Sequence, residues 1–256
     1  MRPIVAMTLI ALGAGGPQAQ AADLRVMSGG GAQAALQTLT AQFQSATGNK
    51  VELTFAVVGE IQQKLMNGEK ADVVVLPVPL LDAVEKAGGF HTHSRAIVGR
   101  IPIGVVVREG VEAPDVSRPE AVRQALLGAR SVVFPDPGAT PTGKYLMGAF
   151  AQMGIAESMR PKIVYRNAID GGVALVRDGK VDLGLFLVTE VLPVKGVRLA
   201  GTLPPSLQGY VVYAAAAGAD GSSPEVALQF VKFLAQPDAR GNWKAAGFEV
   251  APPGPP

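Results

Sequence analysis

Apolar and polar positions along this chain switch repeatedly between a two-residue and a helical period. Short apolar runs at 24–27, 51–58, 73–76, 101–107, 162–165, 181–187, 197–200 and 210–214 read as strands. Between them, helical spacing recurs at 32–47 (Ala35, Leu36, Leu39, Phe43, closed by Gly48), 60–67, 80–86, 119–127, 171–178, 224–235 and 239–246. The run at 73–76 is apolar throughout, as a strand covered on both faces would be. Alternation of this kind predicts an α/β protein with parallel-rich sheets and helices on their faces.

The segment from Ser131 to Leu146 carries the most chemistry. A β-rich run, Val132-Val133-Phe134, leads into a Pro/Gly/Thr loop, which opens on an apolar-periodic stretch at 145–153, with Lys144 at the helix start. Strand, tight loop and helix start leave several backbone N–H groups converging where the helix dipole is positive, an arrangement that binds anions. Gly138 to Lys144 also matches the nucleotide-binding pattern of two glycines around four residues followed by Lys. The next position should be Ser or Thr to hold magnesium, and it is Tyr145. An anion cradle fits better than a nucleotide site.

The N-terminus sets the compartment. Arg2, an apolar run from Ile4 to Leu12 and then Ala19-Gln20-Ala21 have the three parts of a secretory signal peptide, so residues 1–21 are expected to be removed and the mature protein to work in the periplasm. Elsewhere no stretch approaches the ~20 uninterrupted apolar residues of a membrane span. Of the chain's 23 basic and 21 acidic residues only Arg2 falls in the leader, so the mature chain is nearly balanced and gives no reason to expect nucleic acid as a partner. There is no cysteine, which excludes disulfides and thiolate chemistry. The only histidines, His91 and His93, have no third ligand assignable nearby, so no metal site is expected. No serine sits in a nucleophile-elbow context, and the reading is of a protein that is not an enzyme and needs no cofactor. Residues 251–256, Ala-Pro-Pro-Gly-Pro-Pro, lack the apolar content to pack and read as a disordered tail.

Several segments together resemble the type II periplasmic binding proteins of ABC importers, in their molybdate-binding branch. They are 34–48, 55–65, Ala71-Asp72-Val73-Val74-Val75, 133–144, Gly172-Val173-Ala174-Leu175-Val176, Asp182-Leu183-Gly184-Leu185, Gly196-Val197 and Ala246-Gly247-Phe248. No one of these is specific; their order over nearly the whole mature chain carries the likeness. The resemblance implies two lobes, each a mixed sheet with helices on both faces, and a ligand cleft between them. Lobe 1 would comprise 22–103 and 210–250, lobe 2 104–209, with crossings near 102–104 and 208–210. It also implies delivery of the ligand to an ABC permease and its ATPase on separate chains, by a monomer that does not itself insert in the membrane.

Relatives in that branch hold a desolvated dianion with serines in two loops, backbone groups in lobe 2 and a tyrosine. Carried over, the first serine position falls at Gly31, beside Ser28 and Gly30, and the second at 57–59, with Val58 and Gly59. The lobe 2 backbone positions fall near Thr142 and Ile169, and the tyrosine at Leu187, near Thr189. Those hydroxyls are missing here. Thr140, Thr142, Gly143 and Lys144 on one loop, and Arg166 and Asn167 on another, offer cationic groups and hydroxyls that suit planar carboxylates. The favoured ligand is therefore an organic di- or tricarboxylate. Molybdate or tungstate, and a role as a soluble sensor of the same ligands, remain open. Lys144 pointing to solvent and Arg166 pairing with Asp170 are the plain structural readings of the two cations.

Overall fold

The computed structural model describes residues 22–90, 92–219 and 221–250; the expected leader, the tail and His91 lie outside them. Ten strands form two five-stranded sheets. The first contains β1 (Asp23–Gly29), β2 (Lys50–Ala56), β3 (Val73–Pro77), β4 (Ala96–Ile101) and β10 (Val211–Ala217), in the order β2-β1-β3-β10-β4. The second contains β5 (Ile103–Arg108), β6 (Val132–Phe134), β7 (Ile163–Tyr165), β8 (Leu183–Leu187) and β9 (Val197–Thr202), in the order β7-β6-β8-β5-β9. Each sheet is mixed. β1 runs parallel to β2 and β3, whereas β10 enters antiparallel beside β3; β6 is parallel to β7 and β8, whereas β5 is antiparallel to β8.

Helices α1 (Gln33–Thr47), α2 (Val58–Met66), α3 (Val78–Lys86), α9 (Pro224–Ala235) and α10 (Arg240–Ala245) accompany the first sheet, and α4 (Pro119–Gly128), α5 (Pro141–Gln152), α6 (Ala156–Met159), α7 (Gly172–Arg177) and α8 (Val188–Val191) the second. The alternation thus gives the α/β architecture the periodicity predicts. The run at 101–107 is not one strand, however. Pro102 has no N–H to continue a ladder, and there the chain leaves β4 of one sheet and enters β5 of the other. The segment 203–210 returns it. Gln208 joins the two crossings: its Oε1 accepts the Ile103 N–H at 2.8 Å, and its Nε2 donates to the carbonyls of Ile103 and Leu203.

Both cores are aliphatic with aromatic anchors. Phe43 of α1 packs edge-on against Phe230 of α9 at 4.9 Å, and Trp243 of α10 meets Phe248 at 4.7 Å while donating its indole N–H to the Leu234 carbonyl. The Asp72 carboxylate is wholly buried. Asp72 escapes the cost of burying a charge by accepting the backbone N–H groups of Arg25 and Ser222, at 2.7 and 2.8 Å, and the Ser222 hydroxyl.

Candidate functional site

The two lobes meet where the ends of β1 and β3 and the start of β10 face the starts of α5 and α8. The lobes are closed on each other: the Gly59 N–H, in the first turn of α2, donates to the Ala139 carbonyl of the opposite lobe at 3.2 Å. Behind this contact lies a narrow cavity of about 30 Å³, lined from lobe 1 by Gly30, Val57, Val58, Val211 and Tyr213, and from lobe 2 by Thr140, Thr142, Asn167, Ile169, Leu187 and Glu190, among others. That is room for about two water-sized groups. A second cavity of about 220 Å³ adjoins it, with Gly30, Ala168, Ile169 and Glu190 lining both and Gln33, Gln37 and Thr189 lining the second alone.

Local sequence explains the donors. α5 begins at Pro141, four residues earlier than the apolar period suggests, because Pro fits the first helical position and Thr140 caps the helix, its hydroxyl accepting the Gly143 N–H at 3.1 Å. Gly143 and Lys144 are therefore first-turn helical residues, Lys144 at the helix start as expected. A Cβ on Gly143 would collide with the Pro135 carbonyl, so glycine lets the loop fold back under the helix. At the second helical position, the Thr142 N–H has no residue within the helix to donate to, and the buried Thr142 lines the cavity. Thr140→Ala is expected to lower stability by about 1 kcal/mol through loss of the cap, as read by urea unfolding; no change would mean that another group caps α5.

The other sequence-derived positions divide. Gly30, Val58, Thr140, Thr142, Asn167, Ile169 and Leu187 come together around the inner cavity, and Thr189 lines the second with its hydroxyl buried and without a hydrogen-bond partner. Asn167 also braces the site: its Oδ1 accepts the Asp136 N–H at 3.2 Å and its Nδ2 donates to Asp170 at 2.9 Å. Ser28 does not join them. It is fully buried and donates to the Val75 carbonyl, tying β1 to β3. Lys144 is exposed and lines an outer groove with Gly59, Gln62 and Tyr145. Arg166 is exposed too and is absent from the lining of either cavity, although Asn167, Ala168 and Ile169 directly after it line the inner one. The expectation of a cationic fork at the ligand is thus not met by the placement of these two side chains.

Two residues that the sequence reading passed over take their place. A Cβ on Gly31 would lie 2.8 Å from the Tyr213 hydroxyl, so the space a serine would need at position 31 is filled by a hydroxyl from β10. Tyr213 is 2% exposed, and among the described residues no group hydrogen-bonds its hydroxyl. Burial, with the nearby Glu190 charge, pushes its pKa further above the usual phenol range, so it remains a donor. Glu190 follows β8 in α8 and accepts the Leu187 N–H at 3.3 Å. Although part of the residue reaches solvent, burial of the carboxyl pushes its pKa up to about 7, against the opposing pull of that N–H. Its Oε1 lies 3.8 Å from where a Cβ on Gly30 would stand. Carboxyl and phenol thus converge on the same Gly30-Gly31 ridge. The site can anchor an anion with neutral donors and can offer it one titratable proton.

Two sheets with flanking helices, joined by crossing segments and closed over a cavity at their junction, define a two-lobed ligand-binding protein. Residues 24–249 match the model of the bacterial extracellular solute-binding protein family, and the chain belongs to that family. It is 29% identical over 235 residues to a Pseudomonas protein named aconitate isomerase, covering 90% of this chain and 88% of that one. It is 23% identical over 239 residues to the molybdate-binding protein ModA of Escherichia coli K12, covering 93% of each. The fold matches that of the Azotobacter vinelandii periplasmic molybdate-binding protein with a TM-score of 0.76 at 19% identity, over 90% of this chain and all of that one. The resemblance to the molybdate-binding branch and the two-lobed fold are therefore established. Among the described residues no helix is long and apolar enough to cross a membrane.

Proposed function

We propose that this chain is a periplasmic receptor, exported by a leader cleaved after residue 21, that captures an organic di- or tricarboxylate between its lobes and delivers it as a monomer to an ABC permease. The carrying observation is the pair of adjoining cavities. The inner one has room for a single carboxylate head among the Thr142 N–H, the Tyr213 hydroxyl and a neutral Glu190. The larger one continues past Gly30 and Glu190 to Gln33, Gln37 and the unpartnered Thr189 hydroxyl, where the rest of a carbon skeleton and a second carboxylate would lie. The relative named for aconitate, a tricarboxylate, supports the same ligand class. A purely delivering receptor would release its ligand unchanged.

Two other readings each have an observation in favour. The inner cavity alone has room for little more than a small oxyanion, which with the ModA relatives supports molybdate. The buried Glu190 carboxyl, with an isomerase among the relatives, supports conversion of the bound anion. A thermal-unfolding screen of the mature protein against di- and tricarboxylates, molybdate, tungstate, sulfate and phosphate separates ligand classes. A ligand at ~100 times its dissociation constant adds about 2.7 kcal/mol to stability, so a true ligand is expected to raise the midpoint clearly. Midpoints raised by molybdate and tungstate alone would overturn the carboxylate reading.

A further inference from the structure

Glu190 is more than a wall of the cleft. A binding site for a polyanion gains nothing from an ionised carboxylate, and neutral amides such as those of Gln33 and Gln37 would hold the ligand at any pH without its repulsion. Instead this acid stands on the wall shared by both cavities, beside the space in which the middle of an elongated ligand would lie. On the other lobe, the 2%-exposed Tyr213 aims an unpartnered hydroxyl at the same glycine ridge. A desolvated carboxyl and a fixed phenol donor are the two groups that proton transfer to and from carbon requires.

We propose that the cleft shifts the double bond of an unsaturated polycarboxylate, with Glu190 carrying the proton between carbons and Tyr213 stabilising the charge that develops. The proposal rests on the organic-anion reading of the cleft. In the step, the Glu190 carboxylate removes a proton from the methylene carbon next to the double bond. The electrons of that C–H bond form the new double bond, and the old π pair moves onto the conjugated carboxylate. The doubly charged oxygen pair so formed accepts hydrogen bonds from the Tyr213 hydroxyl and from the Thr142 N–H. Glu190 then returns the proton to the far carbon of the original double bond, and the electron pair comes back from the carboxylate to form the C–H bond. No atom is gained or lost, nothing is oxidised or reduced, and the carboxylate is regenerated. An acid that titrates near 7 is matched to this work at neutral pH, since it is ionised often enough to act and basic enough to take a proton from carbon.

The experiment follows trans-aconitate by proton NMR in D₂O with the mature protein, alongside its effect on the unfolding midpoint. The expected result is appearance of the cis isomer, or deuterium at the methylene carbon, at a rate that rises as pH increases through about 7. Glu190→Gln should lower that rate by about 10²–10⁴-fold while still being stabilised by trans-aconitate. Tyr213→Phe, which keeps the ring against Phe248, should lower it by about 10²–10³-fold. Stabilisation by trans-aconitate without isomer or deuterium in the parent protein would overturn the catalytic proposal and leave capture intact. An undiminished rate in Glu190→Gln would overturn it as well. Absence of any stabilisation by trans-aconitate or by other polycarboxylates would remove the organic-anion reading and this proposal with it.

Discussion

Gly59→Val is expected to hold the cleft open and to weaken anion binding by on the order of 100-fold, ~2.7 kcal/mol. In the closed structure the Gly59 N–H reaches the Ala139 carbonyl of the other lobe, and a Cβ on Gly59 would stand 2.6 Å from that oxygen and 3.3 Å from the Ala139 Cα. All of these are backbone atoms, which cannot rotate aside as a side chain would, and the two methyl groups of valine would push further. The lobe itself should tolerate the change, because Gly59 is an ordinary residue of α2 and valine costs only a few tenths of a kcal/mol there relative to good helix formers. Affinity and stability therefore separate. Titration calorimetry should register the lost affinity, while the unfolding midpoint without ligand stays close to that of the parent protein. Parent-like affinity in Gly59→Val would mean that the ligand binds without the lobes meeting at this point.

The second large effect is on pH. Burial raises the Glu190 pKa above the ordinary carboxyl value to about 7, so at pH 6 the group is largely neutral and donates to an anion, whereas above 7 it adds a negative charge to the cavity. If the neutral form binds far better, the competent fraction falls tenfold for each pH unit above the pKa, and the dissociation constant is expected to rise by about 100-fold between pH 6 and pH 9. Glu190→Gln, neutral throughout, should flatten that dependence. Stability follows the same sign. A raised folded pKa gives a contribution fully present below the unfolded value of 4.5 and lost as pH rises through about 7, so Glu190→Gln should be the more stable protein at pH 8. Affinity and turnover run in opposite directions across this range, since turnover needs the ionised form. A flat affinity profile in the parent protein would place the carboxyl away from the bound anion.

Much of this fold was legible in the order of periods. The run Val73-Val74-Val75-Leu76 declares a strand buried on both faces, and it is the central strand of its sheet. The run from Ala35 to Phe43 declares the face that α1 buries. Backbone positions of the site were legible too, since Gly30, Val58, Thr142 and Ile169 fall where strands give way to helices or their loops. What periodicity does not carry is lateral order. β10 enters the first sheet between β3 and β4, and this brings Tyr213 against Gly31, over 180 positions away along the chain. In sequence Tyr213 is one aromatic in an otherwise alanine- and valine-rich strand, and the available signal was the glycine at position 31, which leaves space for a side chain from elsewhere. Glu190 was hidden differently. It stands in the four-residue helix α8, too short for a periodic signal, and its chemistry comes from burial at the junction of the lobes, which no local pattern displays. Lys144 and Arg166 misled for the converse reason: charge is visible in a sequence, but the direction of a long exposed side chain is not.

The most direct test of the central claim, capture of an organic polycarboxylate between the lobes, is titration calorimetry of the mature protein at pH 6 with trans-aconitate and with molybdate, each repeated in Gly59→Val. Saturable binding of trans-aconitate is expected, weakened by on the order of 100-fold in the variant, with no heat from molybdate. Saturable binding of molybdate with none of trans-aconitate would contradict the claim, and would make the inner cavity alone the ligand site.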